Sequence, residues 1–340
     1  MSSQRAISSL IAPLISASLG LGLWSCTSDE APTEVSSTEV SPTSNTLEAD
    51  AASVPRIVDK VFLTGRPYGV AVSGAGVIYV AKIGTSSLAR GNLATRRFPS
   101  TVFVGSTPPH VVFNPEGTTA YATLQTGQAL AVVDVASNRR TAKVPLASDG
   151  FNLIVSPNGR RVYVTTANGT LYVITAITNQ VVTTLFVGAA ANGLAWSPDG
   201  SVLYVSSRDA GTVVAINRST NTITRTYTVG GMPQRLVVAP DGSELYVANE
   251  VSGLDVVKVA SGAVTSIPFG TAGYGVGLTP GGGRLYVTLP QAGEVRVLNR
   301  TTRRLVKTLF IGGTPRNVAF ATNGTALVTN EQAVVFIQQR

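Results

Sequence analysis

The stretch GGMPQRLVVAPDGSELYVANEVSGLDVVKVASGAVTSIPFG, Gly230 to Gly270, decides the architecture. It holds four short runs rich in Val, Leu, Ile and Tyr: RLVVA, ELYVANE, LDVVKVA and VTSIPF. Gly, Pro, Asp and Ser break each run from the next. The runs read as strands and the breaks as turns. Four antiparallel strands in about 40 residues is the size of one propeller blade, whereas solenoid repeats are usually shorter or helical.

Working outward, the unit recurs. A tyrosine inside an apolar run stands at Tyr79, Tyr121, Tyr163, Tyr204, Tyr246 and Tyr286, with Leu327 in the seventh place, at intervals of 42, 42, 41, 42, 40 and 41. Four residues before most of these lies a turn glycine: Gly117, Gly159, Gly200, Gly242 and Gly282. The first and last copies use Gly76 and Gly324, one residue nearer. The turns are spelled NPEG, SPNG, SPDG, APDG and TPGG. Proline presets φ, the polar residue offers a short acceptor, and glycine takes the left-handed position.

The copies begin near Gly65, Gly105, Ala147, Gly188, Gly230, Gly270 and Gly312. The last has only 29 residues and stops after three strands. Residues 56–64, RIVDKVFLT, are a spare β run, and the two pieces together make 38 residues, close to one repeat. The N-terminal strand therefore completes the last blade and hides an open sheet edge. The expectation is an all-β, seven-bladed β-propeller over residues 56–340, each blade a four-stranded antiparallel sheet.

With LYVANE, VYVTTANG, LYVSSRDAG and the VG..P that opens several copies, the chain resembles the YVTN β-propeller repeat family. It lacks the Trp-Asp dipeptide of WD40 repeats and is not of the kelch type. The resemblance implies the fold and little about activity. YVTN propellers are mostly exported or surface proteins of unassigned role, and related propellers include lactonases, lyases and cofactor-dependent oxidoreductases.

Composition narrows the chemistry. Charged residues are 13% and apolar residues 44%, with 34 glycines. One cysteine excludes an internal disulfide framework, a CxxC pair and cysteine-rich zinc sites. One histidine, His110, excludes a multi-histidine metal centre, and no CxxCH offers covalent haem. No metal and no cofactor are assigned. The first 55 residues hold one basic and six acidic side chains, so residues 56–340 keep 25 basic against 12 acidic, a net +13, and 20 of the 25 are arginine. A body this basic is drawn to nucleic acid, anionic lipid headgroups or acidic polysaccharide, unless the charge serves only solubility.

The N-terminus reads as an address followed by a tether. Arg5 precedes an apolar stretch from Leu10 to Trp24, too short to span a bilayer comfortably. It ends in LWSC, which resembles a bacterial lipobox with an unusual Trp24, and the chain's one cysteine falls there. That resemblance implies acylation of Cys26 and a lipid anchor. An ordinary signal peptide cleaved nearby is the other reading. Residues 27–55 are Ser, Thr, Pro, Glu and Ala with few large apolar side chains, the composition of a disordered spacer. Export to the periplasm or cell surface follows. Thr27 after the cysteine favours the outer membrane where the enteric sorting rule applies.

In a propeller, the loops entering the first strands share one face with the loops between second and third strands. Aligning the copies on the turn proline places Tyr68, His110, Phe151, Asn152, Asn192, Gln234, Arg235, Tyr274, Arg316 and Asn317 at that channel mouth. Two arginines, amides and aromatics differ between blades there while the core positions do not, which suits an anionic or polyhydroxylated ligand. Polar residues beside a water-filled channel also need no ligand. His110 has no acid in its own entry loop, so no catalytic residue is assigned. Asp209, Glu250 and Glu331 are a weak carboxylate set for calcium. The tyrosines and Trp196 read as packing between blades. The pairs Arg96–Arg97, Arg139–Arg140, Arg160–Arg161 and Arg303–Arg304 form either a basic belt or separate solvated turns. The expected function is a membrane-tethered, monomeric binding module for an anionic ligand or a protein partner. The alternative is a lactonase- or lyase-type enzyme at the channel mouth.

Overall fold

The computed structural model describes residues 54–339; the export signal, Cys26 and all but the last two spacer residues lie outside the described residues. Twenty-eight strands form seven four-stranded antiparallel sheets, with no helix among the described residues. In chain order the blades open on inner strands Pro67–Val72, Val111–Phe113, Gly150–Val155, Ala191–Trp196, Pro233–Val238, Val276–Leu278 and Val318–Phe320. The strand Arg56–Phe62 is the outer strand of blade 7. It pairs antiparallel with Ala333–Gln338, from Arg56 opposite Gln338 to Phe62 opposite Ala333, with one register shift between Ile57 and Asp59. The ring closes as the repeat arithmetic requires.

The Pro-Gly turns adopt their expected form. Gly117, Gly159, Gly200, Gly242 and Gly282 all have φ between 67° and 71°, the left-handed region that a side chain disfavours.

Seven apolar clusters lie one at each junction between neighbouring blades. The repeating tyrosine is part of this seam: its ring leaves its own blade and meets the inner strand of the next. Tyr79 stacks on Phe113 at 5.4 Å, and Tyr163 and Tyr286 meet Trp196 and Phe320 edge-on, each at 5.1 Å. The Trp196 indole donates to the Val155 carbonyl at 2.9 Å, which satisfies its buried N–H.

A second seam sits two residues after the tyrosine. Thr123, Thr165, Ser206, Thr288 and Thr329 are fully buried. Each hydroxyl donates to an inner-strand carbonyl of the next blade: Phe151, Asn192, Gln234, Arg316 and Tyr68 respectively. Blades 1 and 5 carry Ala81 and Ala248 in this place. The hydroxyls hold the backbone at the channel mouth in register, so they couple packing to the site. Thr288 receives the Gly275 N–H at 2.7 Å and donates to the Arg316 carbonyl at 3.1 Å. Thr288→Val keeps the shape and strands both groups, so we expect a loss of about 2 kcal/mol, read as a lower urea midpoint at unchanged slope.

Candidate functional site

The residues entering the seven inner strands come together around the channel, in two tiers rather than one ring. Side chains alternate along a strand. Six of the seven first residues line the mouth, Arg316 being the exception, and the four second residues that carry a side chain border the channel below. Tyr68, Phe151, Asn192, Gln234 and Tyr274 line a mouth cavity of about 450 Å³ with Gln125, Arg208, Asp209 and Glu250 from the second-to-third loops. His110, Asn152 and Asn317 lie below, bordering a second cavity of about 410 Å³ towards the opposite face. Arg235 borders both cavities.

Arg235 is the floor of the mouth, and His110 lies beneath it against the second cavity. The guanidinium Nη1 lies 3.2 Å from His110 Nε2 and 3.5 Å from Nδ1, and Asn317 Nδ2 lies 3.3 Å from Nδ1. All three side chains are buried, and Arg235 is 9% exposed. Among the described residues no carboxylate forms an ion pair with Arg235, and its Nε has no hydrogen-bond partner. A guanidinium stays charged in proteins, so the fold carries a buried cation without a counter-ion. Room for these side chains comes from glycine in the neighbouring entry. A Cβ on Gly69 would sit 2.6 Å from the Pro109 carbonyl and 2.9 Å from the His110 Cα.

Arg316, unlike Arg235, is ion-paired. Its guanidinium lies 5.2 Å from the Tyr68 ring and 5.0 Å from the Tyr274 ring, and its Nε donates to Glu331 at 2.7 Å. Arg66 completes the Glu331 carboxylate at 2.6 Å. The Tyr68 and Tyr274 hydroxyls share a 2.6 Å hydrogen bond, and burial pushes the Tyr68 phenol well above its usual value. Across the mouth, Gln234 donates to Glu250 and accepts from Asn192, while Arg208 pairs with Glu250 at 3.3 Å and Asp209 at 2.9 Å. Asp209, Glu250 and Glu331 do not converge. Among the described residues no group of three or more His, Cys, Asp or Glu comes together to hold a metal.

Sequence reasoning missed the hydroxyl ring, the Tyr68–Tyr274 pair and the role of Arg66. Only the first had a signal, the recurring Thr or Ser after Tyr-Val. Each arginine doublet has one member held by its own scaffold: Arg96 by Asp59 at 3.5 Å, Arg140 by the Val104 carbonyl at 2.9 Å, Arg161 by Thr175 at 3.1 Å and Arg303 by Glu244 at 2.8 Å.

Burial, reinforced by the Arg235 charge, holds the His110 imidazole well below its usual 6.5, so it is neutral in the folded protein at neutral pH. An unfolded histidine takes its proton near 6.5. The stability His110 contributes is therefore complete above that value and is lost as pH falls from 6.5 towards the lower folded value. Glu331 and Glu244, both held below their usual 4.5, act in a lower window. Thermal melts at pH 7.5 and 5.5 should show a drop that His110→Gln reduces.

The family model for the seven-bladed β-propeller lactonases matches residues 73–267, and the chain belongs to that family. The match runs from just after the inner strand of blade 1 to the end of blade 5; it includes His110 and Arg235 and leaves out Tyr68, Tyr274, Arg316 and Glu331. A solved chain of Kuenenia stuttgartiensis hydrazine synthase superposes with a TM-score of 0.73 at 16% identity, covering 89% of this chain and 98% of that one. That likeness is one of fold. No curated protein sequence matches the chain.

Proposed function

We propose that this protein is an exported, membrane-tethered binding module whose channel mouth takes a small organic anion with its carboxylate on Arg235. The observation that carries this reading is the buried Arg235 guanidinium with a free Nε and no counter-ion. A ligand carboxylate would supply the missing charge and acceptors in a fork-shaped pair. Above it, the Asn192 and Gln234 amides suit ligand hydroxyls, and the rings of Tyr68, Phe151 and Tyr274 offer flat apolar contact. The 450 Å³ mouth matches a small molecule, not a polymer.

A second reading, hydrolysis of a lactone, draws on the family and on the neutral His110 beside Arg235. In it the imidazole takes a proton from water as the oxygen attacks the ring carbonyl. The ring C–O bond breaks, the leaving alkoxide takes the proton from the imidazolium, the new carboxyl group loses its remaining proton to solvent, and Arg235 holds the carboxylate formed.

Titration calorimetry with a panel of small hydroxycarboxylates, their neutral amides and the matching lactones tests both. The acids should bind and the amides should not, and Arg235→Ala with Arg316→Ala should abolish binding in a protein that still folds. Base uptake with a lactone would move the assignment to the enzyme. Equal binding of acids and amides would remove the Arg235 reading.

A further inference from the structure

The outer strands of the blades are open sheet edges, each a row of unpaired N–H and C=O groups ready to pair with another chain. Proteins blunt such edges with charge, proline or short length. Six of the seven outer strands here follow that rule. Lys60, Lys143, Arg225 and Lys307 stand within those of blades 7, 2, 4 and 6, while those of blades 1 and 5 are four residues long and flanked by Pro99 and Pro268. Blade 3 does not. Its outer strand, Val181–Phe186, lies in a run without a single charged residue between Arg161 and Asp199. Val182 is 50% exposed and Phe186 69%, Thr184 between them is exposed, and Ile177 on the preceding turn is 88% exposed.

We propose that two copies of this chain pair edge to edge through Val181–Phe186, antiparallel about a two-fold axis at Thr184, in place of the monomer expected from sequence. The strand is complementary to itself. An axis at Thr184 sets Thr184 opposite its own copy and Val182, the residue at the strand's register shift, opposite Phe186 twice, all three side chains being exposed. Aromatic to β-branched and Thr to Thr are favourable cross-strand pairs. Charge selects the same edge. Residues 56–340 carry a net +13, so copies repel one another, and this outer strand brings no like charges face to face. The contact closes on itself, giving a dimer and not a filament. It does not depend on what the mouth binds.

The test uses the full chain with Cys26→Ser, which leaves an engineered cysteine as its one thiol. Directly opposed residues of an antiparallel pair have Cα atoms about 4.5–5.5 Å apart, within disulfide reach. Thr184→Cys should give a disulfide-linked dimer on mild oxidation. Thr226→Cys, at the matching register of blade 4's outer strand (Thr226 opposite Val214, as Thr184 is opposite Tyr172), should not. The Cys26→Ser parent should sediment as a dimer and its Thr184→Lys variant as a monomer with unchanged circular dichroism. A monomeric parent, equal cross-linking at both positions, or a dimer that survives Thr184→Lys would each overturn the pairing.

Discussion

Arg235→Met should abolish carboxylate binding and at the same time make the empty propeller more stable. Arg235 borders both channel cavities and touches His110, but among the described residues no carboxylate answers its charge. Removing one member of a buried charge pair costs about 4 kcal/mol, so ligand affinity should fall about a thousandfold. Without ligand there is no pair to lose. An apolar side chain of similar length then removes a desolvated cation and the orphaned Nε, and the gain should be about 2 kcal/mol. The two signs are opposite, which separates a binding residue from a structural one. Calorimetry reads the first effect and the urea midpoint the second. A variant that loses stability would show that Arg235 serves the scaffold instead.

A chain beginning at Leu63 should not give a soluble, monodisperse ring. Its loss uncovers the edge of Ala333–Gln338, whose sequence AVVFIQ holds the fully buried Phe336. Val58 and Val61 also leave the cluster they share with Leu327 and Val334. An apolar, uncharged edge of this length is an aggregation site. Size exclusion should show the truncated chain in the void volume. Adding the peptide RIVDKVFLT during refolding should recover the monodisperse species by strand addition.

The scaffold was legible in the sequence because every signal for it is local and repeated. The tyrosine spacing, the Pro-Gly turns and the short last copy with its spare strand at 56–64 each state the same ring, and the register of Arg56 with Gln338 agrees. Alignment on the turn proline assigns entry positions, and nine of the ten side chains it named border the two channel cavities, Arg316 bordering neither. What each of those side chains meets was not readable from the sequence. His110 and Arg235 are 125 residues apart in sequence and 3.2 Å apart in space. Arg316 lies over the Tyr68 and Tyr274 rings and is paired with Glu331, which also takes Arg66, so two arginines alike in sequence have different surroundings.

The sequence by itself determined the number of blades, the strand order within each blade and the closure of the ring. Strand period, turn chemistry and repeat length act within about 40 residues and need no knowledge of distant neighbours. Only the tertiary structure decided that the channel entries split into a mouth tier and a floor tier. It also decided that Arg235 is left without a counter-ion among the described residues and that the uncharged outer strand of blade 3 exposes Val182 and Phe186. Those outcomes depend on how far seven blades converge at the centre and diverge at the rim, where residues from separate repeats are brought together or left apart.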